Sequence, residues 1–168
     1  MPRTILLVED SEDDVFFAMR GFKAAGLASP ILRVEDGRGA IHYLSGRGQY
    51  ADRAKFPFPH LILLDIKMPF VTGFDVLQWI RERSHSPQLP VIIFTSSNQE
   101  SDIERAYALG ANAYLVKPNQ PDDFCDLAGL IKRFWLDANL PPPLNREPAE
   151  PDQTFLYSLL QEKEQAGF

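Results

Sequence analysis

Three acids, a hydroxyl and an amine in this sequence occupy one kind of place: each follows a short apolar run. Residues 4–8 run into Glu9-Asp10, Leu61-Ile62-Leu63-Leu64 stops on Asp65, residues 91–94 meet Thr95-Ser96, and Ala113-Tyr114-Leu115-Val116 ends at Lys117-Pro118. Open α/β sheets place their chemistry beyond the carboxyl ends of parallel strands, so if these runs are such strands, their terminal side chains converge. Carboxylates gathered that closely repel one another unless a cation offsets them. Mg²⁺ suits the set: it is a hard octahedral ion that takes one or two carboxylates, keeps several waters and leaves room for a phosphate oxygen. Asp10 and Asp65 would ligate it directly, Glu9 through a water, and the backbone carbonyl of Lys67 would add an oxygen. A carboxylate can accept a phosphoryl group as an acyl phosphate, which makes Asp65 the nucleophile. The charge on the transferring oxygens would fall to Mg²⁺, to the Lys117 ammonium, and to the Thr95 hydroxyl with the Ser96 or Ile66 backbone N–H. Each residue alone has a plainer reading as a turn acid, a helix cap or a solvated lysine. Their joint arrival at matched strand ends favours the chemical one.

The elements that must position them follow from apolar spacing and punctuation. Short uninterrupted apolar runs bounded by Pro and Gly predict parallel strands covered on both faces, and Ile31-Leu32-Arg33-Val34, though broken by Arg33, reads as a further strand. Ser11-x-x-Asp14 predicts a capped helix start with acids facing the positive helix end. Val15, Met19 and Phe22, helped by Phe16 and Ala18, would form its inner face, and Gly26 would stop it in a left-handed cap. A short helix with Ile41 and Leu44 inward ends near Gly46, and residues 46–59 read as an extended connection longer than usual for this position. Phe74, Val76, Leu77 and Ile80 mark a third helix; Ile103, Ala106, Tyr107 and Leu109 a fourth, closed by Gly110. Pro121-Asp122-Asp123 opens a fifth, with Phe124, Leu127, Leu130, Ile131 and Phe134 available for the core. Five strands alternating with helices predict an α/β fold: a flavodoxin-like, doubly wound, five-stranded parallel sheet with helices on both faces.

With 168 residues, 45% of them hydrophobic, the chain suits one domain, assigned to residues 1–140, and a tail. Residues 141–168 read as a proline-rich linker, begun by Pro141-Pro142-Pro143, and a short amphipathic helix carrying Phe155, Leu156, Leu159 and Leu160. That stripe is too short to hold a helix alone in water, so it packs on its own domain or on a second subunit. A net charge of −6 argues against a surface that grips nucleic acid. Cys125 has no partner for an internal disulfide. No apolar run is long enough to cross a membrane, and no leader is evident, so a cytoplasmic location is expected.

Val8-Glu9-Asp10, Leu64-Asp65-Ile66-Lys67-Met68-Pro69 with Gly73, Phe94-Thr95-Ser96 and Val116-Lys117-Pro118 together resemble the response-regulator receiver domains of two-component signalling, of the single-domain chemotaxis type. The likeness spans roughly residues 3–136. It implies a phosphoaspartate at Asp65, Mg²⁺ held by Glu9, Asp10, Asp65 and the Lys67 carbonyl, and phosphate contacts from Thr95, Ser96 and Lys117. It also implies a switch pair of Thr95 and Tyr114, the latter three residues before Lys117, and a cis bond before Pro118. The implied partner is a histidine kinase. The lengthened residues 46–59 resemble small receivers that partner bacterial phytochromes, which would make that kinase a phytochrome. With no further effector motif, output would pass through protein contacts, with a homodimer expected, and the protein would act as a phosphoacceptor switch rather than a turnover enzyme. Lys67 and the small Ser97 depart from the commonest pattern and bear on phosphate lifetime. A haloacid-dehalogenase-type phosphatase would want a second Asp where Lys67 stands. A flavin binder would want a Gly- or Ser-rich turn where Glu9 to Asp14 would repel phosphate. A degenerate receiver serving as a constitutive binding module is the alternative, disfavoured because every charged site residue is present.

Overall fold

The computed structural model describes residues 3–144 and 153–166, so most of the expected linker lies outside the described residues. Among the described residues, strands and helices alternate: β1 (Ile5–Val8), α1 (Glu12–Ala24), β2 (Ile31–Val34), α2 (Gly37–Ser45), β3 (Leu61–Leu64), α3 (Gly73–Glu82), β4 (Val91–Thr95), α4 (Glu100–Ala108), β5 (Ala113–Val116), α5 (Asp123–Ile131) and α6 (Gln153–Gln165). The strands form one parallel sheet in the order β2-β1-β3-β4-β5, the flavodoxin-like arrangement. Alternation along each strand feeds two core layers. Leu6, Val8, Ile62, Leu64, Val91 and Ile93 face α2, α3 and α4, while Ile5, Leu7, Leu61, Leu63, Ile92 and Phe94 face α1 and α5. β1 and β3 are buried on both faces, which is why their sequences are unbroken apolar runs.

The register carries these strands into step. Val8 lies opposite both Val34 and Leu64, and the parallel ladder continues one residue further, with Asp65 N–H donating to Val8 O (3.1 Å) and Glu9 N–H to Val34 O (3.1 Å). Glycine matters most at Gly73, where a Cβ would stand 2.2 Å from the Asp65 carbonyl oxygen, so α3 can begin this close to the end of β3 only without a side chain. Thr72 and Asp75 close a reciprocal capping box at that start, worth about 1 kcal/mol.

Two helix faces differ from the periodic reading. In α1 the inner positions are Ala18, Gly21 and Phe22, with Val15 half-buried, while Phe16 and Met19 are exposed. The run 15–19 is apolar throughout and does not set its own rotation; the backbone approach of Gly21 to Phe124 of α5 does. In α5, Phe124, Ala128 and Ile131 are buried, but Leu130 and Phe134 are exposed. From Lys132 to Ala138 the helix widens into π turns, and the added residue per turn moves the next inward position to Leu136. Residues 46–59 are also more ordered than an extended connection. The Arg53 guanidinium donates to the carbonyls of Tyr43 and Leu44 at the end of α2 (both 2.8 Å), and beside it Phe56 meets both Tyr43 and Tyr50 edge to face.

The apolar stripe of α6, Phe155, Leu156, Leu159 and Leu160, packs in cis against the layer that contains α2, α3 and α4. Lys163 donates to Asp75 (2.5 Å) and to the Phe70 carbonyl, tying α6 to the loop after β3. Deleting residues 141–168 should therefore lower the melting temperature by about 5–10 °C, from the loss of four half-buried apolar side chains, without changing the sizing profile. Loss of a dimer on deletion, or an unchanged melting point, would contradict cis packing in solution.

Candidate functional site

The site stands where β1, β3, β4 and β5 end. Glu9 leaves the ladder with its side chain turned inward and 1% of its surface exposed, and its Oε1 accepts the Ser11 N–H at 3.0 Å. Ser11 in turn caps α1 by accepting the Asp14 N–H. Asp10, the next residue along, is exposed. Asp65 is buried at the end of β3, where Oδ1 accepts the Lys67 N–H at 3.0 Å. One carboxylate oxygen from each of Glu9, Asp10 and Asp65 lies within 4.8 Å of the others. Mg²⁺ takes oxygens at about 2.0–2.1 Å and keeps waters, so this donor set, hard, anionic and open to solvent at Asp10, fits such an ion.

Opposite them, Lys117 reaches in from the end of β5. Its ammonium donates to Glu9 Oε2 at 2.5 Å, Asp65 Oδ2 at 2.7 Å and Asp14 Oδ2 at 2.8 Å, with 4% of the side chain exposed. Burial pushes the Glu9 carboxyl up to about 7, against the pull of Lys117. Burial acts in the same sense on Asp65, but there the hydrogen bonds from Lys117 and the Lys67 N–H outweigh it, with help from Thr95, and hold the carboxyl below its ordinary value. Desolvation alone would lower the Lys117 ammonium; bonds to Asp14, Asp65 and Glu9 reverse that and raise it. The cluster therefore carries an ionised Asp65 beside a locked ammonium.

Thr95 is fully buried at the end of β4, and its hydroxyl lies 3.4 Å from the Ser97 N–H that points to it. Ser96 is exposed. Ser97 is buried and donates to Asp102 of α4 at 2.5 Å, while its carbonyl accepts the Tyr114 hydroxyl at 3.0 Å. Tyr114 is thus half-buried and tied to the loop after β4 rather than free on the surface. The Lys117–Pro118 bond is trans, against the cis expectation for Pro118. Trans is the intrinsically preferred form, and the Lys117 side chain attains all its carboxylates with it. Lys67 turns its side chain to solvent. A cavity of about 280 Å³ beside the ammonium, lined among others by Asp14, Phe17, Ser96, Pro118 and Phe124, gives access from outside.

Asp14 and Asp102 were not foreseen as site residues. Asp14 reads from sequence as one of several acids in a first helical turn, and its only signal is its place four residues after Asp10, in the first turn of α1. Asp102, in the first turn of α4, takes its bond from Ser97 in the loop just before that helix.

A family model described as response regulator receiver domain matches residues 5–128. Response regulator Rcp1 of Synechocystis sp. is 33% identical over 81% of this chain and 90% of its own, and its Mn²⁺-bound structure superposes with a TM-score of 0.75 at 32% identity over 84% of this chain and all of that one. RPA3017, a response regulator in red light signalling of R. palustris, gives a TM-score of 0.80 at 32% identity over 85% and 99% of the two chains. The bacteriophytochrome response regulator RtBRR is 33% identical, with a TM-score of 0.66 over 99% of this chain and 93% of its own. Fold, strand-end residues and relatives agree: the chain belongs to the response regulator receiver domain family.

Proposed function

We propose that this receiver takes a phosphoryl group from a histidine kinase onto Asp65 and signals the change through protein contacts. The observation that carries the reading is the Lys117 ammonium, bonded at 2.7 Å to an Asp65 carboxylate that is buried yet held ionised. In the transfer, an Asp65 oxygen attacks phosphorus and a P–O bond forms. The P–N bond to the kinase imidazole breaks, and its electron pair returns to the ring nitrogen. The Lys67 N–H fixes the carboxylate's orientation through Oδ1. Lys117 is the residue that can exchange carboxylate partners for a phosphoryl oxygen, and the Thr95 hydroxyl and the Ser96 backbone supply neutral donors. Glu9, Asp10, Asp65 and the Lys67 carbonyl would hold Mg²⁺, which supplies charge neutralisation for the phosphoryl oxygens when bound. The Mn²⁺-bound form of Rcp1 supports a divalent cation here by likeness. Likeness to RPA3017 and RtBRR supports a phytochrome kinase as the donor.

Output would pass through Thr95 and Tyr114. Movement of the Thr95 hydroxyl toward phosphoryl oxygens would disturb the Ser97 turn that Tyr114 holds by its hydroxyl, and so the face formed by α4, β5 and α5. A phosphoryl group can bias this equilibrium only by its differential affinity for two loop arrangements. A homodimer or a downstream protein would read that face.

Incubation with acetyl phosphate and Mg²⁺ should add one phosphoryl group to the intact mass, and Asp65→Asn should abolish it; persistence of the gain in that variant would move the site elsewhere. Lys117→Ala should still bind Mg²⁺ in a calorimetric titration. Without the cation it should lose about 3 kcal/mol of stability in urea, because three carboxylates lose their buried partner. An unchanged urea midpoint would remove Lys117 from that role. Tyr114→Ala should leave phosphorylation within about twofold of wild type while weakening the phosphorylation dependence of dimer or partner affinity. A dependence left intact would place the switch elsewhere.

A further inference from the structure

Arg33 lies on the edge strand β2, in register with Leu7, and its guanidinium extends over the end of β1. Nε donates to the Glu9 carbonyl at 3.2 Å, Nη2 to the Asp10 carbonyl at 3.4 Å, and Nη1 to Glu12 Oε1 at 2.6 Å. Every nitrogen of the fork therefore engages one turn, residues 9–12. The helical ladder of α1 begins only at the next carbonyl, Ser11 O, which accepts from Val15 N–H. The two carbonyls before it fall between strand and helix, and Arg33 takes both.

From this geometry we propose that Arg33 is a positioning residue for the cation site, holding the backbone of the acid turn so that Glu9 and Asp10 stay aimed at Asp65. The inference rests on the phosphoacceptor reading above. Asp10 is exposed, so core packing does not aim its carboxylate; the dihedral angles of the turn do. A forked, planar group that spans two successive carbonyls fixes those angles, whereas an ammonium on a flexible stem holds one acceptor at a time. Arg33 touches neither Asp65 nor Lys117 among its hydrogen bonds, so its action is through the turn. Its charge works against its position: a guanidinium beside a cation site repels Mg²⁺, while an ordered ligand turn attracts it. Truncation thus has opposite signs under the two accounts.

The full chain, as wild type, Arg33→Ala and Arg33→Lys, is titrated with MgCl₂ by calorimetry, and amide hydrogen exchange across residues 9–12 is followed in the metal-free proteins. Both variants should bind Mg²⁺ about tenfold more weakly, as outer contacts to ligand segments do when removed, and both should exchange faster in that turn. Arg33→Lys keeps the charge, so its failure to restore affinity assigns the effect to the fork, and it decides the matter if Arg33→Ala does not fold. Affinity equal to or tighter than wild type in Arg33→Ala, or full recovery in Arg33→Lys, would overturn the proposal. If the wild-type chain itself takes no Mg²⁺, the phosphoacceptor reading fails, and unchanged metal-free exchange in the variants would then refute the ordering of the turn separately.

Discussion

One buried ammonium sets the terms for this molecule. Lys117 meets Glu9, Asp14 and Asp65 in a setting that is almost closed to water at the first and last of them. Removing charges from water costs several kcal/mol per ion, so such a cluster persists only where the geometry is good and the surrounding packing supports it. The support is visible. β1 and β3, the strands that deliver Glu9 and Asp65, are each buried on both faces, and each of their Leu, Ile and Val side chains contributes about 1.5–3 kcal/mol of burial. Electrostatic repulsion is concentrated at one edge of a core whose apolar layers offset it. The carboxylates are also unlike one another: burial pushes Glu9 up to about 7, while hydrogen bonds from Lys117 and the Lys67 N–H hold Asp65 below its ordinary value.

The turns around the cluster divide the work of holding it. On one side Arg33 and the Ser11 cap order the turn between β1 and α1. On the other, the loop after β3 is drawn tight by the absence of a side chain at Gly73 and by the Thr72–Asp75 box. Phe70 within that loop takes φ = 62°, a left-handed conformation that costs a non-glycine residue about 1–2 kcal/mol. Lys163 of α6 bonds to the carbonyl of this same residue and to Asp75, so α6 rests on the loop that follows Asp65. Its apolar stripe and its lysine meet the same part of the domain.

The link from the cluster outward runs through β4 and β5. Thr95 is fully buried next to Asp65, Ser97 is held by Asp102 of α4, and Tyr114 of β5 bonds to the Ser97 carbonyl. These are short directional contacts across elements, and they give the loop after β4 discrete partners to keep or to exchange. β5 is an edge strand and only half-buried, which leaves the outer end of this link at the surface, where another protein can reach it.

Much of this was legible in the chain itself. Unbroken apolar runs of four residues, each stopped by a polar side chain, located the central strands β1, β3 and β4 and the side chains at their ends, because burial on both faces leaves no room for a polar residue and the strand's end is the first place one is allowed. Gly26 and Gly46 marked helix ends because their positive φ suits no other residue as well. Rotation about a helix axis was not legible where apolar residues crowd every side, as at Phe16 and Met19, nor was the phase of a helix that widens partway, as before Phe134. Those depend on which neighbour comes nearest. Asp14 and Arg33 escaped notice for a related reason: their partners lie on other elements, and periodicity within one element carries no information about who stands across from it. Local chemistry thus determined which residues end each strand, while the closing of the sheet and the approach of its helices decided which of them meet.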